Sequence, residues 1–200
     1  MNGRKIMKTI LKSMRNKKSG IPQDKLSIFE EIVRKYEDEL GEHLVGIKCF
    51  EPEWDDEFSK ALMEHLTQEE RFKLYEINGA CSGTGQDKER KAFAQEYAIL
   101  PLEARLELFC KKFGRDAVLN KDNTITVIFK CSHGYYKRAR EGKYKKAPDS
   151  IESYFERCAG GRLYEYQKAL GIKLKIKSVD VSSLKDDVSN PVEFIFEVVE

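Results

Sequence analysis

Thiol, imidazole and guanidinium groups cluster in two short stretches of this chain. Cys131 and His133 form a Cys-x-His pair at the C-terminal end of a predicted strand. Side chains two residues apart in a strand point to the same side, so a strand that continued this far would direct both groups to one site. Cys158 lies in the sequence CAGGR of a predicted helix, and Arg162 follows it about one turn later. This pattern predicts a pocket lined by Cys131, His133, Cys158 and Arg162.

Two chemistries fit these groups. Cysteine catalysis needs a thiolate and a nearby base, so Cys131 or Cys158 could be a nucleophile with His133 as general base. With Cys81 added, three thiols and one imidazole form the ligand set of a tetrahedral zinc site. The chain has no Cys-x-x-Cys pair, and its long gaps match no familiar zinc finger or ribbon. The alternative to both is a set of free cysteines packed in a core, with an ordinary loop histidine.

Glycines beside these cysteines predict close approach of a ligand. The loop NGACSGTGQ contains Cys81 and precedes a predicted helix, whose N-terminal amides could hold an anion. It lacks the Walker lysine and follows a helix, so a plain connection between two helices is the alternative. Gly160 and Gly161 form a second glycine site beside Arg162, which can bind a carboxylate or phosphate bidentately. A small anionic molecule is the expected ligand.

Two basic segments interrupt an otherwise acidic chain. The formal net charge is +2, but residues 1–19 contain seven basic side chains and no acidic one. Residues 135–146, YYKRAREGKYKK, interleave six basic side chains with three tyrosines. Such a segment suits single-stranded nucleic acid, and it suits equally a lid in which Tyr135 and Arg138 cover an anionic ligand. A solvated surface loop with extended lysines is the plain alternative.

Residues 1–20 have apolar side chains at helical spacing and predict a basic amphipathic helix. Such a helix could lie on an anionic membrane surface, bind an acidic partner, or pack against the acidic remainder of the protein. No signal-peptide run and no apolar stretch of membrane-spanning length occurs, so a cytoplasmic protein with reduced thiols is expected. Five cysteines are an odd number, which excludes a complete disulfide framework.

The elements that position these groups predict an α+β fold. Residues 21–115 have mostly helical patterns, and Thr67 with Glu70 forms a capping box at the start of one helix. Residues 116–200 contain the predicted strands, and the helix over 150–170 is expected to break or bend at its paired glycines. The prediction is a helical N-terminal block followed by a small antiparallel sheet, in strand–helix pair–strand–strand order. The basic helix at 1–20 thus precedes a single domain over 21–200.

The C-terminal third carries the pattern CAGGRLYEYQKALGIKLKIKSVDVSSL, followed by NPVEFIFEVV. A cysteine before paired glycines, an alternating strand and a Phe-rich last strand make the run over about 124–199 resemble the closing segment of 4-vinyl-reductase-type small-molecule-binding domains. It is also similar to aminothiazoline-carboxylate hydrolase-like proteins and related bacterial cysteine-containing proteins. The resemblance implies a ligand pocket between helices and sheet, near Cys131 and Cys158. Those families often carry another cysteine in the last hairpin, where this chain has Asn190 and Pro191.

Two functions follow as hypotheses. The first is a cytoplasmic small-molecule-binding protein with a pocket lined by cysteine and histidine, either a thiol-dependent hydrolase or a metabolite sensor. The second is a non-enzymatic interaction module that binds nucleic acid or an acidic partner through its basic segments.

Overall fold

The computed structural model describes residues 3–40, 52–78, 84–130, 135–142 and 144–199. Its elements are, in chain order, α1 (Gly3–Met14), α2 (Gln23–Leu40), α3 (Pro52–His65), α4 (Gln68–Asn78), α5 (Asp87–Glu96), α6 (Leu102–Phe113), β1 (Ala117–Leu119), β2 (Thr124–Phe129), α7 (Tyr135–Arg140), α8 (Ile151–Leu170), β3 (Lys173–Asp180) and β4 (Val192–Val199). Short 3₁₀ turns lie at Lys17–Ser19, Thr84–Gln86 and Ser182–Lys185. Most helices precede the strands, so the predicted α+β fold class is confirmed.

The four strands form one antiparallel sheet in the order β1-β2-β4-β3. The last strand of the chain therefore lies between β2 and β3. Alternation along β4 buries Val192, Phe194 and Phe196 and exposes Glu193 and Glu197, which is the pattern of a sheet with one packed face. Strand β1 was not predicted, because three residues are too short to give a recognisable alternation.

Helix α8 is continuous over its 20 residues, so of the break or bend predicted at Gly160–Gly161 the break is wrong. Gly160 serves a different purpose, close packing against α4. A Cβ atom at Gly160 would lie 2.5 Å from the carbonyl oxygen of Tyr75 and 2.8 Å from its Cβ. The glycine lets two helix backbones approach more closely than any larger residue would allow.

A buried ion pair joins the same two helices. Arg71 of α4 donates from Nε and Nη2 to the carboxylate of Glu156 of α8, at 2.7 and 2.8 Å. Glu156 is fully buried, and this burial raises the pKa of its carboxyl although Arg71 acts to lower it. The Nη1 group of Arg71 also donates to the carbonyl of Leu66. This gives a hydrogen-bond donor to a carbonyl at the C-terminal end of α3.

The predicted capping box at the start of α4 is confirmed. The Glu70 amide donates to Thr67 Oγ1 at 3.2 Å, and the Thr67 amide donates to a Glu70 carboxylate oxygen at 2.8 Å. Lys25 of α2 donates to the same carboxylate, so the cap also ties α2 to α4.

The N-terminal helix packs against the rest of the protein. Ile10, Leu11 and Met14 of α1 are buried in the common core, and the guanidinium of Arg15 pairs with Glu30 of α2 at 2.8 Å. Among the described residues, no helix combines the length and the apolar character that crossing a membrane requires.

Side chains cover the open edge of β3. The Leu174 amide donates to Gln167 Oε1 at 3.0 Å, and the Ile176 amide donates to Glu76 Oε1 at 2.8 Å. Unpaired amides at a sheet edge invite another strand, so these two side chains protect the edge against strand addition at this point.

Replacement of Gly160 by alanine will destabilise the protein. The new methyl group must push the Tyr75 backbone away, and such overpacking costs about 1–3 kcal/mol, against a smaller gain in helix propensity. Urea unfolding measures the change. Gly85→Ala is the matched control, because nothing lies within 4 Å of a Cβ there. Equal unfolding free energies for the two variants would contradict the close-packing role.

Glu76→Gln will stabilise the protein increasingly as the pH rises. Burial raises the pKa of Glu76 above its ordinary value, so folding favours its protonated form and ionisation becomes a cost above the unfolded-state pKa. Glutamine keeps an oxygen that can accept from Ile176 but has no charge to desolvate. The urea midpoint of the variant should exceed that of the parent protein by a margin that grows from acidic towards neutral pH. Above the folded-state pKa of Glu76 the margin should stay constant. A constant separation would mean that ionisation of Glu76 is not involved.

Candidate functional site

A cavity of about 510 Å³ lies between the α6–β1 connection and the end of β2. We call it the Arg162 cavity. Antiparallel pairing with β1 stops where Ile128 donates its amide to the Asp116 carbonyl, and the chain before Asp116 turns away towards α6. The resulting gap is closed at its base by α8. Its walls are Gly114, Arg115, Asp116, Val127, Ile128, Phe129, Lys130, Arg162, Tyr166 and Pro191.

Arg162 is held in a fixed orientation. Its Nη1 group donates to Glu165 one turn along α8. The guanidinium carbon lies 5.0 Å from the centroid of the Phe129 ring, which is a cation–π contact. Its Nε and Nη2 groups have no other hydrogen-bond partner in the described part of the chain, and the side chain is 18% exposed. One edge of the guanidinium is therefore available to a ligand.

Glu165 receives three arginines. The Glu165 carboxylate accepts hydrogen bonds from Arg90 Nη2 of α5 at 2.9 Å and from Arg115 Nε at 3.2 Å. It also accepts one from Arg162 Nη1. The Glu165 and Arg90 side chains are 4% and 1% exposed. Arg90 also pairs with Asp87, so three guanidiniums face two carboxylates, and the remaining excess of positive charge beside the cavity favours an anion.

Arg115 and Lys130 add positive charge to the walls. Arg115 uses Nη1 to cap the end of α6, donating to the Phe113 carbonyl at 2.9 Å. Lys130 is exposed at the end of β2, and Asp116 is the one carboxylate among the described wall residues. The walls thus carry three cations and one anion, together with the apolar surfaces of Val127 and Phe129.

Tyr166 lies one turn after Arg162 on the same face of α8. It is fully buried, with its ring 4.8 Å from that of Phe109, and burial raises the pKa of its hydroxyl. Apart from the weakly polar thiol of Cys110, this hydroxyl has no hydrogen-bond partner among the described residues. The hydroxyl oxygen is itself buried, so Tyr166 is a wall residue without an accessible polar atom in the cavity.

The structure distributes the predicted site residues unevenly. Arg162 lines the cavity. Cys158 lies one turn before it on α8 with 2% exposure, and it is not a wall residue. Gly160 packs against Tyr75, and Gly161 is buried within the same helix. Neither glycine has a place among the cavity walls.

Cys81, Cys131 and His133 lie outside the described residues. The thiol–imidazole and zinc hypotheses that depend on them therefore stay predictions. Within the residues that are described, no group of three or more His, Cys, Asp or Glu side chains could hold a metal ion.

The second basic segment begins as α7, a helix, and not as an open loop. Tyr135 and Tyr136 are fully buried in it, and Tyr135 stacks on Tyr144 with ring centroids 5.4 Å apart. The Tyr135 ring is thus part of the core. The backbone of Arg138 lies in α7, and its side chain is outside the described part of the structure.

Sequence reasoning missed Glu165, Arg90, Arg115 and Lys130. Arg90 and Glu165 are 75 residues apart in the chain, so no local motif links them. One signal was present, because Arg90 stands three residues before Phe93, on the buried face of α5. A charged residue on an apolar face indicates a buried ionic partner.

Glu165→Gln will destabilise the protein by about 3–5 kcal/mol, because it removes the carboxylate shared by three guanidiniums and leaves only Arg90 paired, with Asp87, among the described residues. Urea unfolding at neutral pH measures the loss. Glu107→Gln, at an exposed position of α6 with no ion pair to any described residue, removes the same charge and should change stability by less than about 0.5 kcal/mol. Similar small changes in both variants would show that Glu165 does not organise the arginines.

No family model, no curated protein and no solved structure matches this chain. The resemblance of the C-terminal third to small-molecule-binding domains therefore stays a prediction.

Proposed function

We propose that this protein binds a small organic carboxylate in the Arg162 cavity. The observation that carries the proposal is the state of Arg162, whose one edge is fixed by Glu165 while Nε and Nη2 remain unpaired among the described residues. A guanidinium with a free edge binds a carboxylate through two parallel N–H···O bonds. Because the orientation is set in advance by Glu165 and Phe129, a ligand does not have to order this side chain on binding.

The charges favour a monoanion. Glu165 lies directly behind the guanidiniums and Asp116 lies on the wall, so part of the positive charge is already balanced. A carboxylate matches one guanidinium edge, whereas a phosphate dianion generally requires several convergent donors. The Lys130 ammonium, exposed at the end of β2, can add one contact at the side.

The apolar walls favour a ligand with an organic body. Val127, Phe129 and Pro191 supply hydrocarbon surface beside the charged groups. The volume of about 510 Å³ falls within the usual range for pockets that bind small molecules. A molecule with a flat or branched apolar part and one carboxylate fits this combination better than a bare inorganic ion.

Turnover is a separate hypothesis. It would need Cys131 as nucleophile and His133 as base, and both lie outside the described residues. Cys158, the remaining predicted nucleophile, is buried and lies off the cavity walls. Binding without turnover, as in a metabolite sensor, needs only the described groups.

The nucleic-acid alternative has less support. Stacking on bases requires exposed rings, and Tyr135 and Tyr136 of the basic segment are buried. Tyr144 is half-buried and stacked on Tyr135.

Titration of the protein with benzoate, benzamide and inorganic phosphate, followed by backbone NMR shifts, tests the proposal. Benzoate should bind at millimolar or lower concentration with shifts around Phe129 and Arg162. Benzamide, the neutral isostere, should bind at least about tenfold more weakly, because hydrogen bonds to a charged group contribute about 1.5–3 kcal/mol. Arg162→Met should weaken benzoate binding by a similar factor. Arg162→Lys should lose the bidentate contact with the carboxylate but keep the positive charge.

Lys121→Met is the control, since Lys121 is exposed in the β1–β2 turn and away from the cavity walls. Urea unfolding of each variant separates loss of binding from loss of fold, because Arg162 also pairs with Glu165. Equal affinities for benzoate and benzamide, or unchanged benzoate binding by the folded Arg162→Met protein, would reject the proposal. Binding of phosphate alone would reject the carboxylate assignment.

A further inference from the structure

A second cavity, of about 420 Å³, lies along the protected edge of β3. It is bounded by β3, by the end of α4 and by the 3₁₀ turn that follows α1, and we call it the β3 groove. It shares no wall residue with the Arg162 cavity. The β3 groove is therefore separate from the proposed carboxylate site.

Four lysines from three distant segments surround the groove. They are Lys18, Lys73, Lys173 and Lys175, and all are exposed. Lys73 pairs with Glu69 at 2.7 Å, whereas Lys18 and Lys173 form no ion pair with any described residue. Glu76, the single carboxylate among the described wall residues, is already bonded to the Ile176 amide. The groove therefore keeps an excess of unneutralised positive charge.

The floor of the groove is aliphatic. Leu163 and Leu174 are buried beneath it, Val199 is half-buried, and Ile77 is 39% exposed. Ile77 therefore adds exposed apolar surface beside the lysines. None of the described wall residues is aromatic, so they offer no stacking surface for nucleic-acid bases.

Beside the groove, the outward amides of β3 are not available for strand addition. Those of Leu174 and Ile176 already donate to Gln167 and Glu76. A partner along this edge must therefore be recognised by side chains. Lys173 and Lys175 project on the same face of the strand, about 7 Å apart, which is also the spacing of alternate side chains in an extended peptide.

We propose that the β3 groove binds an acidic, extended peptide segment of a partner protein, in which two carboxylates flank an aliphatic residue. The carboxylates would face Lys173 and Lys175, and the residue between them would point the opposite way, towards Ile77 and Leu163. Lys18 and Lys73 would attract further acidic residues of the segment. Charge complementarity and the aliphatic floor together select this class of partner.

Fluorescence polarisation with a labelled peptide, Gly-Glu-Ile-Glu-Ile-Glu-Gly, tests this inference on the full chain. The peptide should bind at low salt, and affinity should fall on going from about 50 to about 200 mM salt, because exposed charges are screened. The double variant Lys173→Glu/Lys175→Glu should bind at least about tenfold more weakly, since each exposed ion pair contributes up to about 1 kcal/mol and reversal adds repulsion. Replacing both isoleucines of the peptide by serine should also weaken binding.

The matched control is Lys88→Glu/Lys91→Glu, which makes the same change in net charge at exposed positions of α5, away from the groove walls. Its affinity should stay within about twofold of the parent protein. Equal weakening by both double variants would mean attraction by net charge alone and would overturn the inference. Failure of the peptide to bind at low salt would also overturn it. The same holds if a short oligothymidylate or phosphatidylserine vesicles, but not the peptide, bind in a way that depends on Lys173 and Lys175.

Discussion

The pairing of one buried carboxylate with three guanidiniums is the interaction on which this arrangement depends. Glu165 joins α8 to α5 through Arg90 and to the α6–β1 connection through Arg115. A carboxylate with 4% exposure is costly to ionise unless its oxygens are well bonded, and here both oxygens are used. The same pairing fixes Arg162 beside the cavity. The Glu165 carboxylate thus both joins three segments of the fold and orients Arg162 in the candidate site. The ion cluster therefore has a positioning role in addition to its contribution to stability.

A second constraint acts in the part of α8 that precedes Glu165. There Gly160 contacts the Tyr75 backbone and Glu156 pairs with Arg71. The glycine brings the two helices close together, and the bidentate ion pair accepts only one register between them. Buried ion pairs often contribute little net stability compared with apolar residues of the same size, but they penalise alternative arrangements. In this protein the register matters because α8 also packs on Phe129 and Phe196 of the sheet. Its position therefore sets the geometry of both layers.

Local patterns predicted the local features of the fold. Thr67 and Glu70 were predicted as a capping box because both bonds lie within one turn, and the alternating strand noted in the C-terminal third corresponds to β3. The failures concern contacts between distant segments. Gly160 looked like a helix break because the sequence does not reveal Tyr75 lying against it. Tyr135 looked like part of a surface segment because its neighbours are basic, although it packs on Phe155. Of the cavity, the sequence indicated Arg162 but not the residues that orient it.

One turn of α8 lines both candidate sites. Arg162 and Tyr166 face the Arg162 cavity, while Leu163 and Gln167, the next residue in each case, face the β3 groove. Successive residues differ by about 100° around a helix, so the two sites lie on different sides of the same backbone. Coupling between them would require this turn to adopt two arrangements that the two ligands favour differently. The Glu165 cluster and the Gly160 contact hold it in one arrangement, and Gln167 is further tied to the Leu174 amide. The geometry therefore favours two binding events that occur side by side without influencing each other.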